Sequence, residues 1–263
     1  PGMWAQFSPD SRTLYAFAFS GLRRFDVSAE ALARPSPNWT EGEMFYVPAT
    51  NVLLNTGQLS DDGRTMTIAA MDRVIQLDVE TRLVTGGFKA PAHYVSPSRD
   101  GRTVALMFQN QPATLRDAVT GGVLGGTRSF GRGVCSPDTN WIAEAEHDAV
   151  RLFRYPEREK VFDAPLELGT ITPPPVSFSP DSRMLAVADA RTDIRLHEIP
   201  SGRVLAVLSP PNPAQIAGGH GIEFSRDGRW LIVARDGGDV VGWDLKSVRE
   251  QLTELGLSWD EPA

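Results

Sequence analysis

The chain has 263 residues, and its proportions of 41% hydrophobic and 22% charged residues are typical of soluble globular proteins and exclude a disordered or fibrous chain. The 33 acidic residues outnumber the 26 basic ones, and the net charge of -7 excludes the basic surface that a nucleic acid partner needs. The single cysteine excludes an internal disulfide framework, and no apolar run reaches the roughly 18 residues of a membrane span.

The N-terminus carries no recognisable targeting signal. Pro1-Gly2-Met3 lacks the charged and apolar regions of a signal peptide. Because the sequence starts on proline, we expect further residues upstream in the intact polypeptide. The residues present favour a cytoplasmic over an extracytoplasmic location.

A short motif recurs along the whole chain. Residues 7–12 read Phe-Ser-Pro-Asp-Ser-Arg, residues 178–183 repeat them, and residues 224–229 are a close variant. With three looser copies the motif aligns six aspartates: Asp10, Asp62, Asp100, Asp138, Asp181 and Asp227. Their spacing averages about 43 residues, which is the period of a propeller blade. An apolar residue follows each aspartate by four positions, and a second acidic residue follows by sixteen or seventeen positions in five copies.

Each repeat unit predicts four strands joined by tight turns. In the first turn, proline presets the backbone, aspartate bonds the backbone two residues on, and the following glycine or serine takes the bend. Runs such as Leu185–Ala188 and Ile194–His197 predict the second and third strands. The predicted fold class is therefore all-β, a β-propeller of about six four-stranded blades, alone or as part of a seven-bladed ring, with a short C-terminal α-helix.

The last repeat resembles a WD40 repeat. It contains Gly219-His220, then Phe-Ser-Arg-Asp-Gly-Arg-Trp-Leu, and it ends on Trp243-Asp244. The resemblance covers the chain at the level of its blades, although the other copies carry weaker forms of the signature. It implies a buried hydrogen-bond chain from His220 through a strand hydroxyl and a loop aspartate, here Asp236, to Trp243, with Asp244 closing the signature. Ala234 or Val233 stands where the hydroxyl is expected.

The C-terminus predicts a helix instead of a fourth strand. Ser247 and Glu250 form a capping box, Val248, Leu252 and Leu255 fall on one helical face, and Gly256 predicts the end of the helix. We therefore predict a propeller domain over residues 1–245 and a helix and tail over residues 246–263.

The C-terminal residues also resemble those of WD40 arrays attached to bacterial serine/threonine protein kinases. The resemblance rests on the final Trp-Asp-Leu, the leucine-rich helix and the tail Leu-Gly-Leu-Ser-Trp-Asp. It implies a kinase domain upstream in the same polypeptide, since this chain has no kinase motif. Two alternatives stay open for the incomplete last blade: upstream sequence supplies the closing strand, or the helix covers an open edge.

The sequence assembles no catalytic, cofactor or metal site. The histidines His93, His147, His197 and His220 are far apart, and none has a second ligand at metal spacing. Cys135 takes the place of the phenylalanine that precedes the first turn, which predicts a buried structural thiol. We therefore expect a protein that is not an enzyme.

A binding surface is the remaining function. The loops between second and third strands should emerge on one face of a propeller, together with the proline-rich loops 172–175 and 209–213. Their charged residues form a candidate interaction rim: Asp72, Arg73, His147, Asp148, Arg191, Asp193 and Arg235. Mixed charges predict a protein or peptide partner and an interaction scaffold or docking module. The alternative is a ligand-binding or enzyme-associated propeller of the periplasmic or hydrolase-linked Ser-Pro-Asp-Gly type.

Overall fold

The computed structural model describes most of the chain. The described residues are 4–18, 21–32, 42–46, 54–70, 72–90, 94–98, 101–108, 111–126, 132–146, 148–155, 157, 159–166, 174–188, 191–210, 212, 215–216, 221–235 and 239–257. The described strands form six antiparallel sheets in which consecutive strands are neighbours, five of them four-stranded and the sixth three-stranded. The chain is a β-propeller with six blades and a short C-terminal helix, which confirms the predicted fold class.

Three of the blades belong to the compact unit Pro1–Phe130. Blade 1 is β1 (Trp4–Phe7), β2 (Thr13–Ala18), β3 (Gly21–Asp26) and β4 (Glu43–Tyr46), with a short helix α1 (Ala29–Leu32) before β4. Blade 2 is β5 (Leu54–Leu59), β6 (Thr65–Ala70), β7 (Arg73–Asp78) and β8 (Val84–Lys89). Blade 3 is β9 (Tyr94–Pro97), β10 (Thr103–Phe108), β11 (Gln111–Asp117) and β12 (Val123–Gly126).

The other three blades belong to the compact unit Gly131–Ala263. Blade 4 is β13 (Arg132–Cys135), β14 (Trp141–Ala145), β15 (Ala149–Arg154) and β16 (Glu159–Pro165). Blade 5 is β17 (Val176–Phe178), β18 (Met184–Val187), β19 (Ile194–Glu198) and β20 (Val204–Leu208). Blade 6 is β21 (Ile222–Phe224), β22 (Trp230–Ala234) and β23 (Val240–Asp244), followed by α2 (Leu245–Glu254). The predicted limits of the propeller domain, residues 1–245, stay a prediction.

The core of each unit lies between neighbouring blades. Leu152 of blade 4 and Leu185 of blade 5 are fully buried in one apolar cluster, and Leu196 of blade 5 and Leu231 of blade 6 are fully buried in the next. Alternation along each strand produces this pattern, because residues two apart face the same neighbour. No blade therefore buries its apolar faces alone.

A serine and an aspartate close the first turn of every blade except blade 3, where Asp100 lies outside the described residues. The predicted bond is present in blade 1, where the Arg12 N–H donates to the Asp10 carboxylate at 3.1 Å. The sequence analysis missed the serine: the Ser8 hydroxyl donates to Asp10 at 2.6 Å and accepts from the Thr13 N–H at 2.9 Å. The serines that accept a backbone N–H five residues on are Ser8, Ser60, Ser98, Ser136, Ser179 and Ser225.

These hydroxyl donors also act on the carboxylates. The serine hydroxyl and then the backbone N–H two residues on hold the pKa of Asp10, Asp62 and Asp227 below its ordinary value. The aspartates are thus ionised acceptors at neutral pH, and the turn they close is locally determined.

The residue after each described turn aspartate has a positive φ, as predicted for the bend. Glycine holds this place in blades 2 and 6, at Gly63 (φ 74°) and Gly228 (φ 69°). Serine or threonine holds it in three others, at Ser11 (φ 57°), Thr139 (φ 62°) and Ser182 (φ 60°). A left-handed conformation costs a residue with a β-carbon roughly 1–2 kcal/mol.

Thr139→Gly is expected to stabilise the protein. Glycine removes the left-handed strain, and after the larger entropy of the unfolded glycine is subtracted we expect a gain of about 0.5–1 kcal/mol. Ser182→Gly is the control, because the Ser182 hydroxyl accepts a hydrogen bond from the Asp138 N–H of blade 4 at 3.1 Å and its loss cancels the gain. Thermal unfolding of both variants checks this, and an equal or lower melting temperature for Thr139→Gly contradicts it.

The C-terminal helix is present, but its cap was predicted at the wrong residue. Asp244 is the N-cap, and its carboxylate accepts hydrogen bonds from the Lys246 and Ser247 N–H groups at 3.1 and 3.4 Å. The helix starts earlier than predicted because the acidic residue that ends β23 already offers a capping carboxylate. The predicted stop is confirmed at Gly256, which has a φ of 72°.

The helix packs on blade 6 with fewer residues than predicted. Leu245 is buried, and Val248 and Leu252 pack against the cluster between blades 5 and 6. Leu255, the third member of the predicted apolar face, is 73% exposed. Among the described residues, no helix has the length and apolar character needed to cross a membrane.

Candidate functional site

The predicted rim residues of blade 2 bind each other. The Arg73 guanidinium donates to both carboxylate oxygens of Asp72, at 2.9 and 2.7 Å. The pair lowers the pKa of Asp72 and raises the pKa of Arg73, and about half of each side chain stays exposed. The hairpin therefore presents a fixed, neutralised pair of charges.

The rim of blade 4 centres on an arginine that the sequence analysis did not select. Arg151 donates to Asp148 at 2.8 Å and forms an ion pair with Glu146 at 2.6 Å. The Arg151 hydrogen bond is the main cause of the lowered pKa of Asp148. Asp148 remains mostly exposed. Asp163 also lies 3.8 Å from the Arg151 guanidinium, and the three carboxylates around one guanidinium give this part of blade 4 an excess of negative charge.

The rims of blades 5 and 6 are tied together by the segment that connects the two blades. The Ile216 N–H donates to the Arg191 carbonyl of blade 5 at 2.9 Å, and Ile216 also pairs as an isolated β-bridge with Arg235 of blade 6. Arg235 in turn donates from Nη1 to the Asn212 carbonyl at 2.8 Å. Asn212 and Ile216 of the connecting segment thus lie beside the hairpins of these two blades. The common face predicted for loop 209–213 stays a prediction.

Arg235 is the central side chain of this junction. Its side chain is only 13% exposed, its guanidinium forms an ion pair with Asp239, and its backbone N–H donates to the Asp239 carbonyl at 3.0 Å. The pair lowers the pKa of Asp239. On blade 5, Asp193 accepts a hydrogen bond from the Thr192 hydroxyl at 3.1 Å. We call the polar surface around this junction the blade 5–6 rim: Arg191, Asp193, Asn212, Gln215, Arg235 and Asp239.

Of the four residues of the WD40-like signature, the structure describes Trp243 and Asp244. Trp243 lies on β23 directly opposite Leu231 and packs half-buried against the cluster between blades 5 and 6. Asp244 caps α2 and forms an ion pair with Arg229 at 2.8 Å. His220 and Asp236 lie outside the described residues, so the hydrogen-bond chain from His220 to Trp243 stays a prediction.

The structure brings together only part of the predicted rim. Arg191, Asp193 and Arg235 lie in one connected surface, whereas Asp148 belongs to the separate hairpin of blade 4 and His147 lies outside the described residues. The sequence analysis missed Asn212, Ile216 and Asp239, and the available signal was the Arg-Asp-Gly-Gly-Asp run of residues 235–239, which places two acids within reach of one arginine.

Cys135 and the possible metal ligands are the other candidates for chemistry. Cys135 is buried as predicted, and burial raises the pKa of its thiol to about 12, so the reactive thiolate is suppressed. Within the described part of the chain, no group of three histidine, cysteine, aspartate or glutamate residues has a geometry that could hold a metal ion. The chain matches no model of a known protein family and no curated protein.

Proposed function

We propose that this chain is a non-enzymatic, WD40-type propeller that serves as a protein-interaction scaffold, as the docking or sensing part of a larger bacterial polypeptide. The resemblance of the last blade and C-terminal helix to kinase-attached arrays supports a serine/threonine kinase domain upstream. The partner we infer is a protein or peptide with polar, mixed-charge character.

The blade 5–6 rim is the observation that carries this proposal. The described residues of the two hairpins and of the connection between them are linked through Arg235 and Ile216, while Arg191, Asn212 and Asp239 stay exposed. A surface that is already ordered loses little conformational entropy when a partner binds. Loops that a rigid scaffold holds in place are common binding elements.

Charge reversal on the rim tests the proposal. The bait is the intact polypeptide carrying Arg191→Glu and Arg235→Glu, two substitutions on the blade 5–6 rim, and partner capture from its own cells is compared with that of the unchanged protein. Because charged residues central to an interface often contribute more than 1 kcal/mol, we expect capture to weaken roughly tenfold or more.

A matched control separates the rim from the outer strands. Val84→Lys and Val207→Lys place charges on outer strands at valines that are 55% and 51% exposed, and both should leave capture unchanged. Circular dichroism verifies that every bait is folded. Equal capture by the rim variant and the control variant removes the rim as the binding surface.

A further inference from the structure

His197 occupies the place of the blade tryptophan at the junction between blades 4 and 5. It stands one residue before Glu198, the second acidic residue of its repeat, just as Trp243 stands one residue before Asp244 in blade 6. On β19 it lies opposite Leu185 and Val204. Its imidazole is 4% exposed and stacks on Phe162 of blade 4 with ring centres 5.7 Å apart. Histidine therefore fills an apolar position between two blades.

The hydrogen bonds of the ring fix its tautomer. Nδ1 lies 3.1 Å from the Gly202 carbonyl, which can only accept, so Nδ1 carries the hydrogen and Nε2 is the bare nitrogen of the neutral ring. Nε2 is buried and contacts no hydrogen-bonding atom among the described residues. A proton on Nε2 would create a cation and a donor without an acceptor.

On β16, β18, β19 and β20, the strands whose residues pair with His197 or stack on it, every carboxylate already has a cationic partner. On its own strand Arg195 is positive, and Glu198 is paired with Arg203 of the following turn at 3.3 Å. On β16, Asp163 is paired with Lys160 at 2.9 Å, and Glu159 with Arg154 at 4.0 Å. Neither of the adjacent strands β18 and β20 contains a charged residue. Proton uptake would therefore meet a desolvated, uncompensated site.

We propose that His197 makes the junction between blades 4 and 5 acid-sensitive, and that proton uptake on its Nε2 weakens this junction. Burial lowers the pKa of His197 in the folded protein, the hydrogen bond to Gly202 opposes this, and the charge of Arg195 adds to the lowering. The unfolded chain, with an ordinary imidazole pKa of about 6.5, takes up the proton first. The stability that depends on neutral His197 is complete above that pH and is lost as pH falls toward the folded pKa.

A histidine titration of the unchanged protein is the first test. Proton NMR follows the imidazole resonances, and His197→Phe identifies the signal that belongs to His197. We expect that signal to titrate below pH 6.5, with loss of the folded spectrum at the acid end. A His197 pKa of 6.5 or above in the folded protein overturns the proposal, and His197→Asn supplies the assignment if His197→Phe does not fold.

Urea unfolding between pH 7.5 and 5 is the second test. His197→Asn keeps a donor for the Gly202 carbonyl without a titrating group, and His197→Phe keeps the stack on Phe162. The folded-to-unfolded ratio of the unchanged protein should fall by up to roughly tenfold per pH unit more than that of either variant, because one proton separates the two states. Parallel pH profiles for all three proteins contradict the proposal, since every other titrating group is common to them.

Discussion

Gly202→Ala is expected to destabilise the protein strongly. A β-carbon at Gly202 of blade 5 would lie 2.7 Å from Cγ of Phe162 in blade 4, and the residue has a φ of 74°. Left-handed strain of roughly 1–2 kcal/mol and overpacking of roughly 1–3 kcal/mol together lower the free energy of unfolding by about 2–5 kcal/mol. Urea unfolding at neutral pH measures the loss.

Gly256→Ala provides a control for the backbone strain, and Phe162→Ala completes a double-mutant cycle with Gly202→Ala. Gly256→Ala has a similar φ of 72° but no atom within 4 Å, so it carries only the backbone strain. In a Phe162→Ala background the ring contacts are gone and only the β-carbon of residue 162 remains, 3.0 Å from the added methyl group. Gly202→Ala should then cost clearly less than in the unchanged protein, with the roughly 1–2 kcal/mol of Gly256→Ala as the lower bound. An equal cost of Gly202→Ala in both backgrounds would show that Phe162 does not limit this turn.

Ser179→Ala is the second large effect that the fold predicts. Ser179 is 1% exposed, and its hydroxyl donates to Asp181 at 2.6 Å and accepts from the Met184 N–H at 2.9 Å. Alanine leaves that N–H without its acceptor inside the blade, which lowers the free energy of unfolding by about 1–3 kcal/mol.

Ser225 is the matched position in blade 6. Its hydroxyl makes the same two bonds, to Asp227 at 2.5 Å and from the Trp230 N–H at 2.8 Å, but the turn is exposed to water. Ser225→Ala should therefore cost clearly less than Ser179→Ala in the same urea titration, because water replaces the lost hydroxyl. A larger cost at Ser225 would refute burial as the cause.

The sequence predicted the elements of the blades well because their determinants are local. The Asp10 bond to Arg12 and the left-handed residue after the aspartate follow from turn chemistry within four residues. Alternating apolar residues predicted strands such as β19 to within one residue at its end. The serine was overlooked because its partner N–H lies five residues on, beyond the turn itself.

Contacts between different strands and helices could not be predicted from the sequence patterns. The cap at Asp244 was missed because Ser247 and Glu250 fit a local capping pattern, whereas the structure decides by where β23 ends. The stacking of Phe162 against Gly202 and His197 joins residues that lie about 40 positions apart and belong to different blades.

In the candidate site, too, local features were predicted and contacts between segments were not. Loop positions predicted that Arg191 and Arg235 face a common rim, since strand order alone places those loops. The tie through Asn212 and Ile216 depends on the path of a proline-rich connection, and no periodic pattern encodes that path. The sequence thus predicts a rim but not the contacts of Asn212 and Ile216 that link its parts.

Site-specific photo-cross-linking tests the proposed binding rim most directly. A photoreactive residue is placed at Gln215, which is exposed on the blade 5–6 rim, and in a second protein at Val207, which is 51% exposed on the outer strand of blade 5. Both are expressed in the intact polypeptide, and covalent adducts are identified by mass spectrometry. The rim proposal predicts a discrete protein adduct from position 215 and none from position 207. Adducts from position 207 alone, or the same adducts from both, would contradict it.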